Sequence, residues 1–128
     1  MSKRILAVDD EPNIRLLMEM ALGERGYVVR SVADGRECMM AVGKEVPDLI
    51  LLDLFMPGMG GIEVVSHLRQ LPATKDVPIL IITGSVEAED LPVLDLVQGC
   101  LVKPFRLASL FSAVERVLDQ SQGVIGRV

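Results

Sequence analysis

A chain of 128 residues is long enough for one compact domain and too short for two of ordinary size; with 50% hydrophobic and 24% charged residues it reads as globular, not disordered. Thirteen Lys and Arg against eighteen Asp and Glu leave a net charge of -5, which without a basic stripe argues against gripping a nucleic-acid backbone. Apolar runs too short for a bilayer argue against a membrane protein, and two cysteines and one histidine without close spacing exclude a Cys/His zinc site and a disulfide framework.

In chain order, Lys3-Arg4 precedes Ile5-Leu6-Ala7-Val8, which meets Asp9-Asp10 too early for a signal peptide, so the expected compartment is the cytoplasm. Lys3 to Asp9 is the first predicted strand. Pro12 suits the first turn of a helix whose Ile14, Leu17, Met18, Ala21 and Leu22 recur at three-and-four spacing, with Gly26 as its stop. A strand over Tyr27 to Val32 follows. Asp34 then caps a helix, with Glu37 as capping-box partner and Cys38, Ala41 and Val42 inward. Asp48 to Asp53 is the third strand, and after a Gly-rich turn Ile62, Val65 and Leu68 mark the third helix. Val77 to Thr83 is the fourth strand. The next helix is short, starting near Leu91 because Pro92 fits only a first turn, and Cys100 to Val102 is the fifth strand. Leu107, Leu110, Phe111, Val114 and Leu118 mark the last helix. The domain is expected to span 1–120, with 121–128, beginning Ser121-Gln122-Gly123, as a tail or the start of a linker.

Consecutive apolar residues, not alternating ones, are what a strand covered on both faces needs. Five such strands alternating with five helices predict an α/β fold: a doubly wound, five-stranded parallel sheet. Chemistry in such sheets lies beyond the carboxyl ends of the strands. Those ends are Asp9-Asp10, Asp53, Thr83-Gly84 and Lys103-Pro104. Carboxylates gathered there repel unless they hold a cation, and a small set of hard oxygen ligands favours Mg²⁺. Three acids, Mg²⁺ and Lys103 come close to neutrality, which makes a place for a phosphoryl group on a carboxylate nucleophile.

The ordered set Asp9-Asp10, Asp53 with Met56-Pro57 and Gly61, Thr83, and Lys103-Pro104-Phe105 resembles the receiver domains of two-component response regulators, in particular the single-domain chemotaxis type. The resemblance runs from Lys3 to about Gln120. It implies the flavodoxin-like strand order 2-1-3-4-5, and a phosphoacceptor signalling domain that catalyses its own phosphorylation from phosphohistidine and its own dephosphorylation. By the same resemblance Asp53 is the phosphoacceptor, and Thr83 and Lys103 contact the incoming phosphoryl oxygens. Asp9, Asp10, Asp53 and the Phe55 carbonyl would hold Mg²⁺. The implied partners are a sensor histidine kinase or phosphotransfer protein and a downstream target or output domain, with neither direct nucleic acid nor membrane. A cis bond before Pro104 is implied as well.

Plainer readings exist for single residues. Asp9-Asp10 could cap the first helix, Cys38 and Cys100 fit small core residues, His67 a solvated or half-buried side chain, and the methionines gap-filling core. Among other functions, a flavin site would suffer from Asp9-Asp10-Glu11 beside its phosphate, a haloacid-dehalogenase-like phosphatase needs a second acid that Asp53-Leu54-Phe55 lacks, and no P-loop is present. The remaining alternatives are a degenerate receiver serving only as a binding module and an excised receiver of a DNA-binding regulator. Cys100 stands where the family usually carries an aromatic switch residue. The short fourth helix, apolar through Leu91, Val93, Leu94, Leu96 and Val97, is expected to be partly covered by a partner or in a homodimer formed through the fourth helix, fifth strand and fifth helix.

Overall fold

Three strands are apolar almost throughout: β1 (Arg4–Val8), β3 (Leu49–Leu52) and β4 (Ile79–Thr83). Successive side chains alternate between the sheet's two faces, so each strand feeds two cores. Leu6, Val8, Ile50, Leu52, Ile79 and Ile81 pack with Cys38, Ala41, Val64, Val65 and Leu68 of α2 (Gly35–Lys44) and α3 (Gly61–Gln70). On the other face Ile5, Ala7, Leu49, Leu51, Leu80 and Ile82 meet Met18, Leu22, Leu110, Val114 and Val117 of α1 (Pro12–Glu24) and α5 (Leu107–Gly126). The computed structural model describes residues 2–87 and 91–126, with backbone alone for Leu91 and residues 121–126.

The edge strands β2 (Val28–Val32) and β5 (Gly99–Val102) are only partly buried, and all four strand pairs are parallel, in the order β2-β1-β3-β4-β5. The order and the five helices agree with the expected doubly wound sheet. The short α4 (Leu91–Leu94) starts beside Pro92 as expected. Asp34 caps α2, its Oδ1 accepting the Glu37 N–H at 2.8 Å while Glu37 Oε1 accepts the Ala33 N–H at 2.8 Å. Gly26, with φ of +93°, turns the chain after α1 in a conformation that costs glycine little.

The buried stripes differ from the expected ones in detail. On α3 the inward residues are Gly61, Val64, Val65 and Leu68, a three-and-four series that leaves Ile62 one position off the stripe and 41% exposed. Leu17 and Leu107 are also partly exposed, at the margins of stripes whose Met18, Leu22, Leu110 and Val114 are buried as expected. Of the methionines, Met18 and Met56 fill core, whereas Met20 and Met40 face solvent. Cys38 is buried, Cys100 half-buried and His67 exposed. In and just after α4, Val93 is buried and Leu94 and Val97 pack on the core, so much of the apolar surface expected to need a partner is covered within the chain; Leu96 stays exposed, and the Leu91 side chain lies outside the described residues. Helix α5 continues to Gly126, while Arg127 and Val128 lie outside the described residues.

Candidate functional site

The sheet's hydrogen-bond ladder carries on past the strands and sets the register of the site. The Asp9 N–H donates to the Val32 carbonyl at 3.2 Å, the Asp53 N–H to Val8 at 3.0 Å and the Lys103 N–H to Thr83 at 2.7 Å. Each polar residue thus leaves its strand one step beyond the last apolar one. Asp9 and Thr83 are fully buried and Asp53 nearly so, while Asp10 is exposed. Carboxylate oxygens of Asp9, Asp10 and Asp53 lie within 4.8 Å of one another.

Lys103 closes the group. Its Nζ is 2.8 Å from Asp9 Oδ2, 2.7 Å from Glu11 Oε2 and 3.4 Å from Asp53 Oδ2. Burial alone would lower the Lys103 ammonium, but its close contacts with Asp9 and Glu11 and the charges of Asp53 and Asp9 hold it above the ordinary lysine range. The Asp53 carboxyl goes up, chiefly by burial and further by the charge of Asp9, against the lowering influence of the Phe55 N–H and of Lys103. Asp53 Oδ1 accepts that N–H at 3.2 Å. The peptide bond between Lys103 and Pro104 is cis.

The backbone cap of α1 is Glu11, whose side chain caps nothing, and Asp9 Oδ1 instead accepts the Glu11 N–H at 2.9 Å. Neither Asp9 nor Asp10 is therefore the N-cap of α1; Asp9 holds only the N–H of the cap residue itself. Asp9 Oδ2 is a buried oxygen with no satisfying hydrogen bond; the ammonium of Lys103 is close enough for an ionic contact but poorly angled as a donor. A hard divalent cation bound by these carboxylates would satisfy that oxygen and relieve the repulsion among them, so the donor set fits Mg²⁺. The Thr83 hydroxyl donates to the Ser85 carbonyl at 3.2 Å.

Two neighbours of the site went unassigned in the sequence reading. Glu11 adds a fourth carboxylate, so with Mg²⁺ and Lys103 the site keeps one negative charge in excess. Arg15 partly offsets it, its Nη1 donating to the Asp9 carbonyl at 2.8 Å. The only signal for either was spacing: Glu11 ends the acidic run, and Arg15 lies one helical turn beyond it.

Residues 5–115 match the family described as the response regulator receiver domain. The chain belongs to that family. The receiver domain is similar to the DNA-binding response regulator MtrA of Mycolicibacterium smegmatis, with 36% identity over 125 residues, 95% of this chain and 53% of that protein. It thus spans about half the length of the curated relatives it matches. Among solved structures it resembles the chemotaxis response regulator CheY4 of Vibrio cholerae, with a TM-score of 0.86 and 35% identity over 91% of this chain and 99% of that one. It also resembles the response regulator TrrA of Thermotoga maritima in complex with Mg²⁺ and BeF, with a TM-score of 0.81 and 35% identity over 90% of this chain and 98% of that one. The receiver domain is a phosphoacceptor signalling domain of the two-component type, of a family that works with Mg²⁺ at its acidic site and with histidine kinases and output domains. Among the described residues no helix is long and apolar enough to cross a membrane.

Proposed function

We propose that Asp53 is the phosphoacceptor of this domain and that Asp9, Asp10, Asp53 and the carbonyl of Phe55 hold the Mg²⁺ that the reaction needs. The observation that carries the reading is the placement of Asp53, a nearly buried carboxylate at a strand end with one oxygen held by the Phe55 N–H and the other facing Lys103. Bound Mg²⁺ would neutralise charge on the carboxylates and on the transferring phosphoryl group.

The chain's own residues do the rest by position. Asp53 attacks phosphorus; the new bond joins an aspartyl oxygen to phosphorus as the bond from phosphorus to the kinase imidazole breaks, and the imidazole nitrogen leaves with the electron pair. The carboxylate is presented at a fixed angle by the backbone bonds on either side of it, so little ordering remains for the encounter. Lys103 pairs with a phosphoryl oxygen, and Thr83 turns its hydroxyl from Ser85 to another. That rotation is the first movement of the switch. Slow hydrolysis of the acyl phosphate returns the domain to its resting state.

The partners follow from the same reading: a sensor histidine kinase or phosphotransfer protein upstream, and a target protein or output domain downstream, in the cytoplasm. With a net charge of -5, DNA contact of the kind named for MtrA would belong to an output domain and not to these residues. Leu96, Val102 and Leu107, each more than two-fifths exposed, support a protein-binding or homodimer surface around α4, β5 and α5. The decisive experiment is intact mass after incubation with acetyl phosphate, with and without Mg²⁺, beside Asp53→Ala. One phosphoryl adduct on the parent with Mg²⁺ alone, absent from the variant, is expected. An unmodified parent overturns the reading in favour of a binding module that does not use phosphate.

A further inference from the structure

Lys103 Nζ is 2.7 Å from Glu11 Oε2 and 2.8 Å from Asp9 Oδ2, against 3.4 Å from Asp53 Oδ2, so in the unphosphorylated domain the lysine sits between Glu11 and Asp9 and stands off from the phosphoacceptor. Glu11 is free to take it. It stands at the N-cap of α1 with extended backbone, yet its carboxylate binds none of the helix's first N–H groups, and its own N–H is held by Asp9 Oδ1. This places the side chain over the mouth of the site, with 57% of its surface exposed against 15% for that of Lys103. A phosphoryl group arriving at Asp53 needs the same ammonium, and it meets Glu11 as a like charge.

Resting on the assignment of Asp53 as phosphoacceptor, we propose that Glu11 is a positioning residue that holds Lys103 as a competing counter-ion and sets how readily a phosphodonor engages the site. Glu11 stands outside the carboxylate group of Asp9, Asp10 and Asp53 that would hold the metal, and it acts through the lysine. Displacing it belongs to donor binding. Once Lys103 has moved to the phosphoryl oxygens the carboxylate turns to solvent, and the intrinsic transfer step proceeds as it would without it. The pairing also implies a length requirement: Glu11 Oε2 reaches Nζ at 2.7 Å, and a carboxylate one methylene shorter on the same backbone would fall short of that contact.

The test is the initial rate of Mg²⁺-dependent phosphorylation as a function of acetyl phosphate concentration, at saturating Mg²⁺, for the parent, Glu11→Gln and Glu11→Asp. Urea unfolding run alongside confirms that each variant is folded. Both variants are expected to lower the half-saturating donor concentration about two- to fivefold, the effect of releasing one half-exposed ion pair, with the maximal rate unchanged. Added salt narrows the difference by screening the parent's pair. A half-saturating concentration for Glu11→Gln equal to or above the parent's overturns the proposal. So does a parent-like Glu11→Asp, because charge without contact would then suffice. A parent that takes no phosphoryl group from any concentration of donor instead defeats the underlying assignment of Asp53, and the two failures are told apart by the parent curve alone.

Discussion

A β-carbon on Gly61 would stand 2.4 Å from the Asp53 carbonyl oxygen and 2.6 Å from the α-carbon of Leu54. The first residue of α3 is therefore pressed against the backbone that leaves β3, and the Gly61 N–H donates to the Leu54 carbonyl at 2.9 Å. Both close atoms are main chain and have no rotamer through which to give way. Gly61→Ala must push α3 and the segment carrying Asp53 apart, at about 1–3 kcal/mol for overpacking. The expected outcome is a lower urea midpoint with an unchanged denaturant slope, together with slower phosphorylation from acetyl phosphate. A variant as stable and as fast as the parent would mean that this contact does not position the acid.

The raised Asp53 carboxyl makes a prediction about pH. A carboxyl whose folded pKa lies above its unfolded value binds protons more readily in the folded state. On that account stability is greatest at low pH and falls as pH rises from the ordinary aspartate range through the folded pKa. At neutral pH and without Mg²⁺ the charged Asp53 is thus a net cost, since burial and the neighbouring Asp9 outweigh Lys103. Asp53→Asn should raise the thermal midpoint in EDTA at pH 7, and the gain should shrink towards zero as the pH drops below the normal aspartate value. Lys103 shifts the opposite way from a buried lysine, so its contribution persists through neutral pH and is lost only in strong alkali.

Phe55 follows Asp53 by two residues and is 49% exposed, and the exposed Ser85 follows Thr83 by two, so on the proposed phosphoacceptor role of Asp53 both are placed to flank the approach of water. A ring at that place excludes water and offers it no hydrogen bond. Phe55→Asn replaces the ring with an amide that can orient a water molecule, and the phosphorylated domain should lose its phosphoryl group faster, by on the order of tenfold. Decay of the purified adduct, followed by mass after removal of the donor, is the measurement. Equal lifetimes would show that access at this flank does not limit hydrolysis.

The site was legible in the sequence to the extent that strand ends share an edge. Once five apolar runs are read as parallel strands, Asp9, Asp53, Thr83 and Lys103 must come together, and the ladder bonds of Asp53 to Val8 and Lys103 to Thr83 show how. The strand order came with the family resemblance, because local patterns do not say on which side of the sheet a crossover lands. Glu11 was hidden by its position: a charge in a loop has no periodicity to betray its partner, and Lys103 is 92 residues away. Ile62 was misread because a three-residue stripe at a helix start fits two rotations, and only the buried Gly61 selects between them. Cys100, half-buried opposite Ile81 in β5, was read as a small side chain in place of the usual aromatic.

Arg69, near the end of α3, gave no signal in the sequence, yet its guanidinium makes five hydrogen bonds. Its Nε donates to the Leu96 carbonyl at 2.8 Å, its Nη1 to the carbonyls of Thr74, Lys75 and Val77 at 3.2, 3.1 and 2.8 Å, and its Nη2 to Gln98 Oε1 at 3.2 Å. Gln98 in turn pairs with Ile79 in both directions, taking its N–H at 2.7 Å and giving its own to the Ile79 carbonyl at 2.9 Å. One guanidinium thereby ties the loop before β4 to the segment between α4 and β5, compensating for a helix too short to pack that segment down. Arg69→Met keeps the stem and strips the donors; the carbonyls of Leu96 and Lys75 are exposed to water and that of Thr74 keeps the Val77 N–H, so the partly buried Val77 carbonyl is the one left unpaired, at a cost of about 1–3 kcal/mol. Arg69→Lys should recover little of it, because a single ammonium cannot span the fan of acceptors that a planar fork does. Hydrogen exchange locates the effect: the amides of Ile79 and Gln98 should lose protection in both variants, while Leu51 in the middle of the sheet changes only as far as global stability does. Unchanged protection at Ile79 and Gln98 would show that the strand ladder alone holds β5, and that the arginine's bonds contribute nothing beyond it.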